Sequence, residues 1–322
     1  MVLHCLEKSI GDVVPFLISI INEANFNQEE LKNHLEIAAQ KFLVNKEKVA
    51  WLARNEFMQV MLGKNNAYSW KLTQNNFKDI SRTDLLNFFE KFYQNSTVDV
   101  YVAGKVTEKL KSIFTKNFSQ RNLTKVVVNL SIEPLESATN QNLFEKKNAV
   151  QSAIKLGCTT IGRNHKDFAT LFMANTILGG YFGSRLMSNI REDKGFTYGI
   201  GSGIIHFNQL SYFVISTEVG SDVTQQTLIE VEKEINLLKE TLVSDEELQL
   251  VKNYILGNLM KGFDGVFNAM TRFQLLNNQN LSYDYYTNLI QEVKQMDAES
   301  IQLVAKKYMN YHRLTKIIVG KH

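Results

Sequence analysis

The run Leu178-Gly-Gly-Tyr-Phe-Gly-Ser-Arg-Leu186, followed by Ile190-Arg-Glu-Asp-Lys-Gly-Phe-Thr-Tyr-Gly199, holds the side chains best suited to chemistry in this chain. Three glycines ahead of a short helix let backbone approach a ligand or another element closely. Ser184 is placed to cap that helix, Arg191 closes it, and Gly195 allows the turn into a strand that carries Tyr198. A guanidinium and a phenol seven residues apart across a turn can both face one cleft. There they would hold a peptide carbonyl and stabilise a tetrahedral oxyanion. Gly179, Gly180, Ser184, Arg191 and Tyr198 are the residues that would line such a site. The same residues have a plainer reading, in which Gly179 and Gly180 end a helix and Arg191 pairs with a nearby acid. A phosphate loop is excluded, because no lysine-serine or lysine-threonine pair follows the glycines and the preceding element reads as helix.

The elements around this run form the later half of a duplication. Ile80–Gly104 and Met296–Gly320 share one order: a helix cap (Ser81 or Asp297), helical apolar spacing, and a short β-branched run closed by glycine. The helical positions are Leu85, Phe88, Phe89 and Phe92 in one copy, and Ile301, Val304, Ala305 and Tyr308 in the other. The closing glycines lie 216 residues apart. The same offset relates the helices at Val13–Asn22 and Thr224–Leu238, and the helix openings at Phe26–Leu31 and Val243–Leu248. Ser244 with Glu247 three residues on reads as a capping box.

The later copy has more in front: strands at Val150–Ile161, Thr197–His206 and Ser211–Thr217, and helices at Lys166–Leu178 and Ser184–Glu192. The earlier copy begins at a strand-like Leu3–Leu6, so its front half is expected to be missing. The expected organisation is the C-terminal half of a first domain over 1–104, a helix and linker over 105–146, and a second domain over 147–322. The linker opens with a helix at Val106–Phe118 and contains a strand-like Val126–Leu130 and a polar stretch with Pro134. The fold class is α+β, with helices on largely antiparallel sheets.

The run LGGYFGSRLMSNIREDKGFTYGIGS resembles the signature of the insulinase/pitrilysin family of zinc metallopeptidases, which includes the mitochondrial processing peptidases. The resemblance extends over essentially the whole chain. It implies duplicated α+β metallopeptidase-type domains whose two halves face each other across a chamber. It also implies that one half carries zinc on an inverted H-x-x-E-H motif and the other supplies an arginine–tyrosine pair, onto which Arg191 and Tyr198 fall. Two imidazoles one helical turn apart are what such a motif needs to chelate one ion. The six histidines (His4, His34, His165, His206, His312 and His322) include no pair at that spacing. His4-Cys-Leu-Glu-Lys8 is the nearest approach and ends in a lysine. The family's further zinc-binding glutamate follows a phenylalanine-and-acid turn as the second of two glutamates seven residues apart. Aligned on Phe26–Leu31, those positions hold His34 and Lys41. Shifting to Glu36 breaks the match at Phe26. No metal is therefore expected in this chain.

The resemblance thus implies a non-catalytic half or subunit, inactive alone. Its partner would be a zinc-bearing homologue in a dimer, and its ligands unfolded peptides. The alternatives are a structural or assembly subunit of the same fold without a proteolytic role, and a fragment of a complete zinc peptidase.

The remaining features are plain. Among 322 residues, 44% are hydrophobic and 21% charged, and the net charge of +3 is too small to point to nucleic acid or a membrane surface. No apolar run is long enough for a transmembrane helix, and the N-terminus lacks a signal-peptide pattern. A reducing cytoplasmic setting is the default expectation, which an upstream segment would change, the periplasm included. Cys5 and Cys158 read as two buried apolar thiols. Asn65–Tyr68 reads as loop, the four lysines from Lys105 to Lys116 as a solvated face, and Tyr283, Tyr285 and Tyr286 as packing at a helix start.

Overall fold

A computed structural model describes residues 1–94, 96–118 and 141–321. Contacts divide the chain into two units, each with its own packing. One comprises Met1–Val44, Leu72–Leu130 and Gly265–Thr271; the other comprises Asn45–Lys71, Ser131–Asp264 and Arg272–His322.

In chain order the elements are helices α1 (Ile10–Asn22), α2 (Gln28–Lys46), α3 (Val49–Leu62), α4 (Arg82–Phe89) and α5 (Glu108–Phe118), and strands β1 (Gln141–Glu145) and β2 (Gln151–Thr160). They continue with α6 (Phe168–Asn175), β3 (Thr197–His206), β4 (Ser211–Gly220), α7 (Thr224–Glu240), α8 (Asp245–Lys261), α9 (Val266–Asn278), α10 (Tyr285–Gln295), α11 (Ala298–Tyr308) and β5 (Thr315–Gly320). The capping residues of both copies act as read. Ser81 accepts from Asp84 N in a reciprocal capping box, and Asp297 accepts from Ser300 N at 2.8 Å. At α8 only half of the box forms: Ser244 accepts from Glu247 N, while the Glu247 carboxylate is engaged by Arg185.

The second unit holds one five-stranded sheet in the order β1-β5-β2-β4-β3. β1 and β5 are parallel and the other three pairs antiparallel, as expected of the α+β class. Alternation along the strands gives the sheet two apolar faces. Ile154, Leu156, Phe213, Ile215, Val219 and Ile318 pack with residues of α6, α7, α8, α10 and α11. Ala153, Ile317 and Val319 face the other way, onto Val49, Ala53, Phe57 and Met61 of α3. α3, which lies within the sequence range of the first copy, thus packs on the second unit's sheet.

Two expected strands do not form. Leu3–Leu6 is irregular and leads into a turn of 3₁₀ helix, and Val98–Gly104 forms no strand. A strand exists only through the hydrogen bonds of its neighbour. Among the described residues the first unit contributes helices and no strands. Val98, Val100 and Val102 are consequently 39%, 41% and 36% exposed. Cys5 corrects the expectation of two buried thiols: it is exposed, whereas Cys158 is half-buried on β2, where burial pushes its thiol up to about 11. Val126–Leu130 and most of the stretch around Pro134 lie outside the described residues; Gln141 opens β1.

Candidate functional site

α6 does not stop at Asn175. It widens into a π-helical turn over Thr176–Gly180, which presses on β3. Gly179 makes that approach possible. A Cβ there would lie 2.6 Å from both Ser202 N and Ser202 Oγ, and 3.0 Å from Leu186 Cδ1. Gly180 ends the turn, and a Cβ there would lie 3.3 Å from Asn175 O and from Thr176. Gly179 thus serves close packing, a role neither reading of the sequence gave it. Gly179→Ala is expected to cost about 1–3 kcal/mol through forced displacement of β3. A thermal midpoint equal to that of the parent chain would show that the two elements do not meet so closely.

Ser184 is 1% exposed, and its Oγ has no hydrogen-bond partner among the described residues. The expected side-chain cap is not made; the Ser184 carbonyl instead accepts from Ser188 N at 2.9 Å. The anchor of this segment is its neighbour. Arg185 donates through Nε and Nη2 to the two oxygens of Glu247 on α8, at 2.9 and 2.7 Å. This bidentate fork fixes the glycine run to α8. Sequence reading passed over Arg185, although its guanidinium sits inside the motif, because the partner is 62 residues away.

Arg191 lies near the end of a π-helical segment, Met187–Asp193. Its guanidinium sits 4.5 Å from the centroid of the Phe182 ring. The acid expected beside it is Glu192, but at 3.8 Å and half-exposed the pair is a loose one. Gly195 turns the chain at φ +66° into β3, as expected.

Tyr198 is set by a bulge. Thr197 pairs with Val219 and Ile200 with Thr217, so β3 carries one residue more than β4 across this interval. Two hydroxyls brace the bulge. Thr197 Oγ1 accepts from Gly199 N at 3.1 Å and donates to Glu218 O at 2.7 Å, and Thr217 Oγ1 donates to Gly199 O at 3.0 Å. The consequence is a phenol on the sheet's terminal strand that is 92% exposed. No hydrogen bond or ring contact among the described residues links Tyr198 to Arg191. They stand on consecutive elements, one on the π turn and one on the strand it feeds.

Beside Tyr198 lies a cavity of about 320 Å³ on the α3 side of the sheet, lined by Ala50, Lys155, Thr197, Ser216, Thr217 and Glu218 among others. Lys155 Nζ donates to Ser216 Oγ at 2.7 Å. Burial, helped by Arg54, lowers the Lys155 pKa, and Glu218 opposes that shift. Ala50, Lys155, Ser216, Thr217 and Glu218 lie outside the motif. Their meeting follows from the β2–β4 register, which pairs Lys155 with Ser216. Arg191 does not line this cavity.

The second unit is thus a helix-covered mixed sheet with an arginine turn and a tyrosine raised on its terminal strand, and no metal-holding cluster occurs among the described residues. Residues 79–255, more than half of the chain, match the model described as "Peptidase M16 inactive domain". The chain belongs to the peptidase M16 family and carries its inactive domain.

It is similar to the uncharacterized zinc protease YmxG of Bacillus subtilis, 21% identical over 306 residues, covering 94% of this chain and 73% of that protein. An uncharacterized zinc protease of Mycobacterium leprae is 24% identical over 250 residues, 74% of this chain but 54% of its own. The probable inactive metalloprotease YmfF of Bacillus subtilis is 22% identical over 193 residues, 59% of this chain and 44% of its own. The chain thus spans about half the length of several curated relatives. Among solved structures, a protease from Helicobacter pylori superposes with a TM-score of 0.85 at 15% identity, covering 98% of this chain and 77% of that one. A peptidase M16 inactive domain from Pseudomonas fluorescens gives 0.81 at 18% identity, covering 96% and 75%. These likenesses show the fold.

Among the described residues the family's zinc has no fit. No group of three or more His, Cys, Asp or Glu side chains that could hold a metal ion occurs among the described residues. His34 and Lys41, at the positions aligned with family glutamates, are both exposed on α2. No helix of the described residues is long and apolar enough to cross a membrane.

Proposed function

We propose that this chain is the non-zinc half of a two-part M16 peptidase. In this reading it pairs with a zinc-bearing homologue, closes a chamber around an unfolded peptide, and offers Arg191 and Tyr198 to the peptide backbone and the developing oxyanion. The observation that carries the reading is the placement of Tyr198. An almost fully exposed phenol, raised on a bulge braced by two threonine hydroxyls, contributes nothing to the packing of its own domain. Arg191, held over Phe182 and only loosely paired, likewise keeps most of its donors available. Bulges that re-aim a side chain beside a functional edge are a recurring device, and an unpaired strand edge accepts extended peptides.

The test is to combine the chain with a purified zinc-bearing homologue and follow cleavage of an unfolded peptide. The double variant Arg191→Ala, Tyr198→Phe is expected to lower the turnover of the mixture by about 10²-fold, the usual loss on removing an oxyanion donor, with its circular dichroism unchanged. Parent-like turnover from the double variant would sink the proposal. A mixture that never cleaves, with the chain nevertheless assembling with its homologue, would favour a structural subunit.

A further inference from the structure

Away from that edge, α6, α8, α9 and α10 enclose a cavity of about 190 Å³. Its walls are mainly apolar, with Phe168, Phe172, Ile255, Leu259 and Leu289 among them. Two groups in it carry buried hydrogen-bond donors with no partner among the described residues. Tyr286 is 6% exposed, and its buried hydroxyl has no partner among the described residues. Arg163 Nε is also buried and unpartnered. The other contacts of that guanidinium are a long 3.5 Å hydrogen bond to Tyr285 OH and the face of Phe168, 5.6 Å from the ring centroid. Arg272 lies with its guanidinium 5.6 Å from the Tyr286 ring centroid and close against Gly262.

No aspartate or glutamate lines the cavity. Glu292, the nearest acid lining a neighbouring cavity that Arg163 shares, makes no ion pair with it. Burying an unspent hydroxyl and an unspent guanidinium N–H is costly. Both lack an acceptor, and Arg272 brings a second guanidinium to the same wall. The volume matches that of about six waters, too little for a folded partner and enough for one apolar group with its acid.

We propose that this cavity binds a carboxylate carried on a short apolar body, with Arg163 and Arg272 supplying the counter-charge, Tyr286 a hydrogen bond, and the phenylalanine and leucine side chains the apolar contact. A free aryl or short-chain acid and the C-terminal carboxylate of a peptide ending in phenylalanine or leucine share this chemistry. The inference is independent of the peptidase reading.

The experiment is calorimetric titration of the full chain with 3-phenylpropionate, with the uncharged 3-phenylpropan-1-ol, and with a short acetylated peptide ending in phenylalanine as free acid or as amide. Saturable one-site binding of a carboxylate is expected, with the neutral counterpart at least about tenfold weaker, as for a charge-assisted hydrogen-bond pair. Binding of the small acid but not the peptide identifies a metabolite-type ligand; binding of the peptide acid but not the small acid identifies a chain terminus. Arg163→Gln and Arg272→Gln are each expected to weaken binding about tenfold or more. Tyr286→Phe is expected to weaken it severalfold while leaving the thermal midpoint unchanged or raised, since the hydroxyl it removes has no internal partner. That variant keeps the test decisive if an arginine variant fails to fold. Acid and alcohol binding equally, no saturable binding of either acid up to about 10 mM, or full affinity in Tyr286→Phe would each overturn the proposal.

Discussion

Gly157→Ala is expected to destabilise the second unit by about 3 kcal/mol, at the upper end of the usual cost of overpacking a core. Gly157 is in the middle of β2, where it pairs with Val214 of β4 and Thr315 of β5. A Cβ at this position would run into the carbonyl oxygen of Phe213 and sit 2.8 Å from Cζ of Phe57. Neither obstacle moves freely. The carbonyl belongs to the neighbouring strand, and Phe57, 1% exposed, is among the largest buried side chains of α3. Relief therefore requires β4 to shift or α3 to lift from the sheet. Gly203→Ala is the control. It lies on β3 with nothing within 4 Å of the added methyl, and should change stability by a few tenths of a kcal/mol at most. Denaturant unfolding of the two variants measures the contrast directly. Equal midpoints would mean that α3 does not seal the sheet as described.

Acidification supplies the second large effect. His206, at the end of β3, has its pKa lowered to about 4, first by burial and then by Arg163. Its Nδ1 is 2.8 Å from Ser211 Oγ, and its ring meets Phe168 edge-on. The folded chain therefore keeps this imidazole neutral where the unfolded chain, with an ordinary histidine pKa near 6.5, would protonate it. Below that value the unfolded state binds the extra proton, so stability is lost as pH falls from about 6.5 towards 4 and is fully present above 6.5. Partial solvent access tempers the magnitude to about 1–2 kcal/mol over that window. The carboxylates whose pKa values are held low, such as Asp167 and Glu230, weaken the fold only at more acid pH, so the window separates the two causes. His206→Gln, which can still hydrogen-bond to Ser211, should flatten the pH dependence of the thermal midpoint between pH 6.5 and 4.5. An unaltered slope in that variant would rule His206 out as its source.

Much of the architecture was legible because it is local. Periodicity located β3 and α7 almost to the residue, and cap residues such as Ser81 and Asp297 announce themselves by type and spacing. For the same reason, helices α1, α2 and α4 stand at the offset from α7, α8 and α11 on which the expected duplication rests. What failed was non-local. A β-branched run such as Val98–Gly104 has strand propensity but needs a neighbour to become a strand, and no such information resides in the run itself. The position of α3 on the second sheet, through Phe57 and Met61 against Ala153 and Val319, was equally invisible, since its sequence copy suggested membership of the first domain. At the candidate site, Arg191 and Tyr198 are proposed from residue type and spacing alone. Phe182, which seats the arginine, and Lys155 with Ser216, which line the neighbouring cavity, were not found. A guanidinium has a partner in most contexts, and a lysine–serine pair across strands exists only once the register is known.

The valine run of the first unit has a further consequence, for the behaviour of the chain among its own copies. Residues 98–102 alternate valine with Asp99 and Tyr101, and the three valines present a narrow, β-prone apolar stripe to solvent. Such a stripe is a template for intermolecular pairing. Within those five residues one negative charge, on Asp99, opposes the stacking of like segments, with Lys105 next along the chain. The tendency of free chains to associate through this segment is therefore opposed at this point by a single carboxylate and not by the packing of the core.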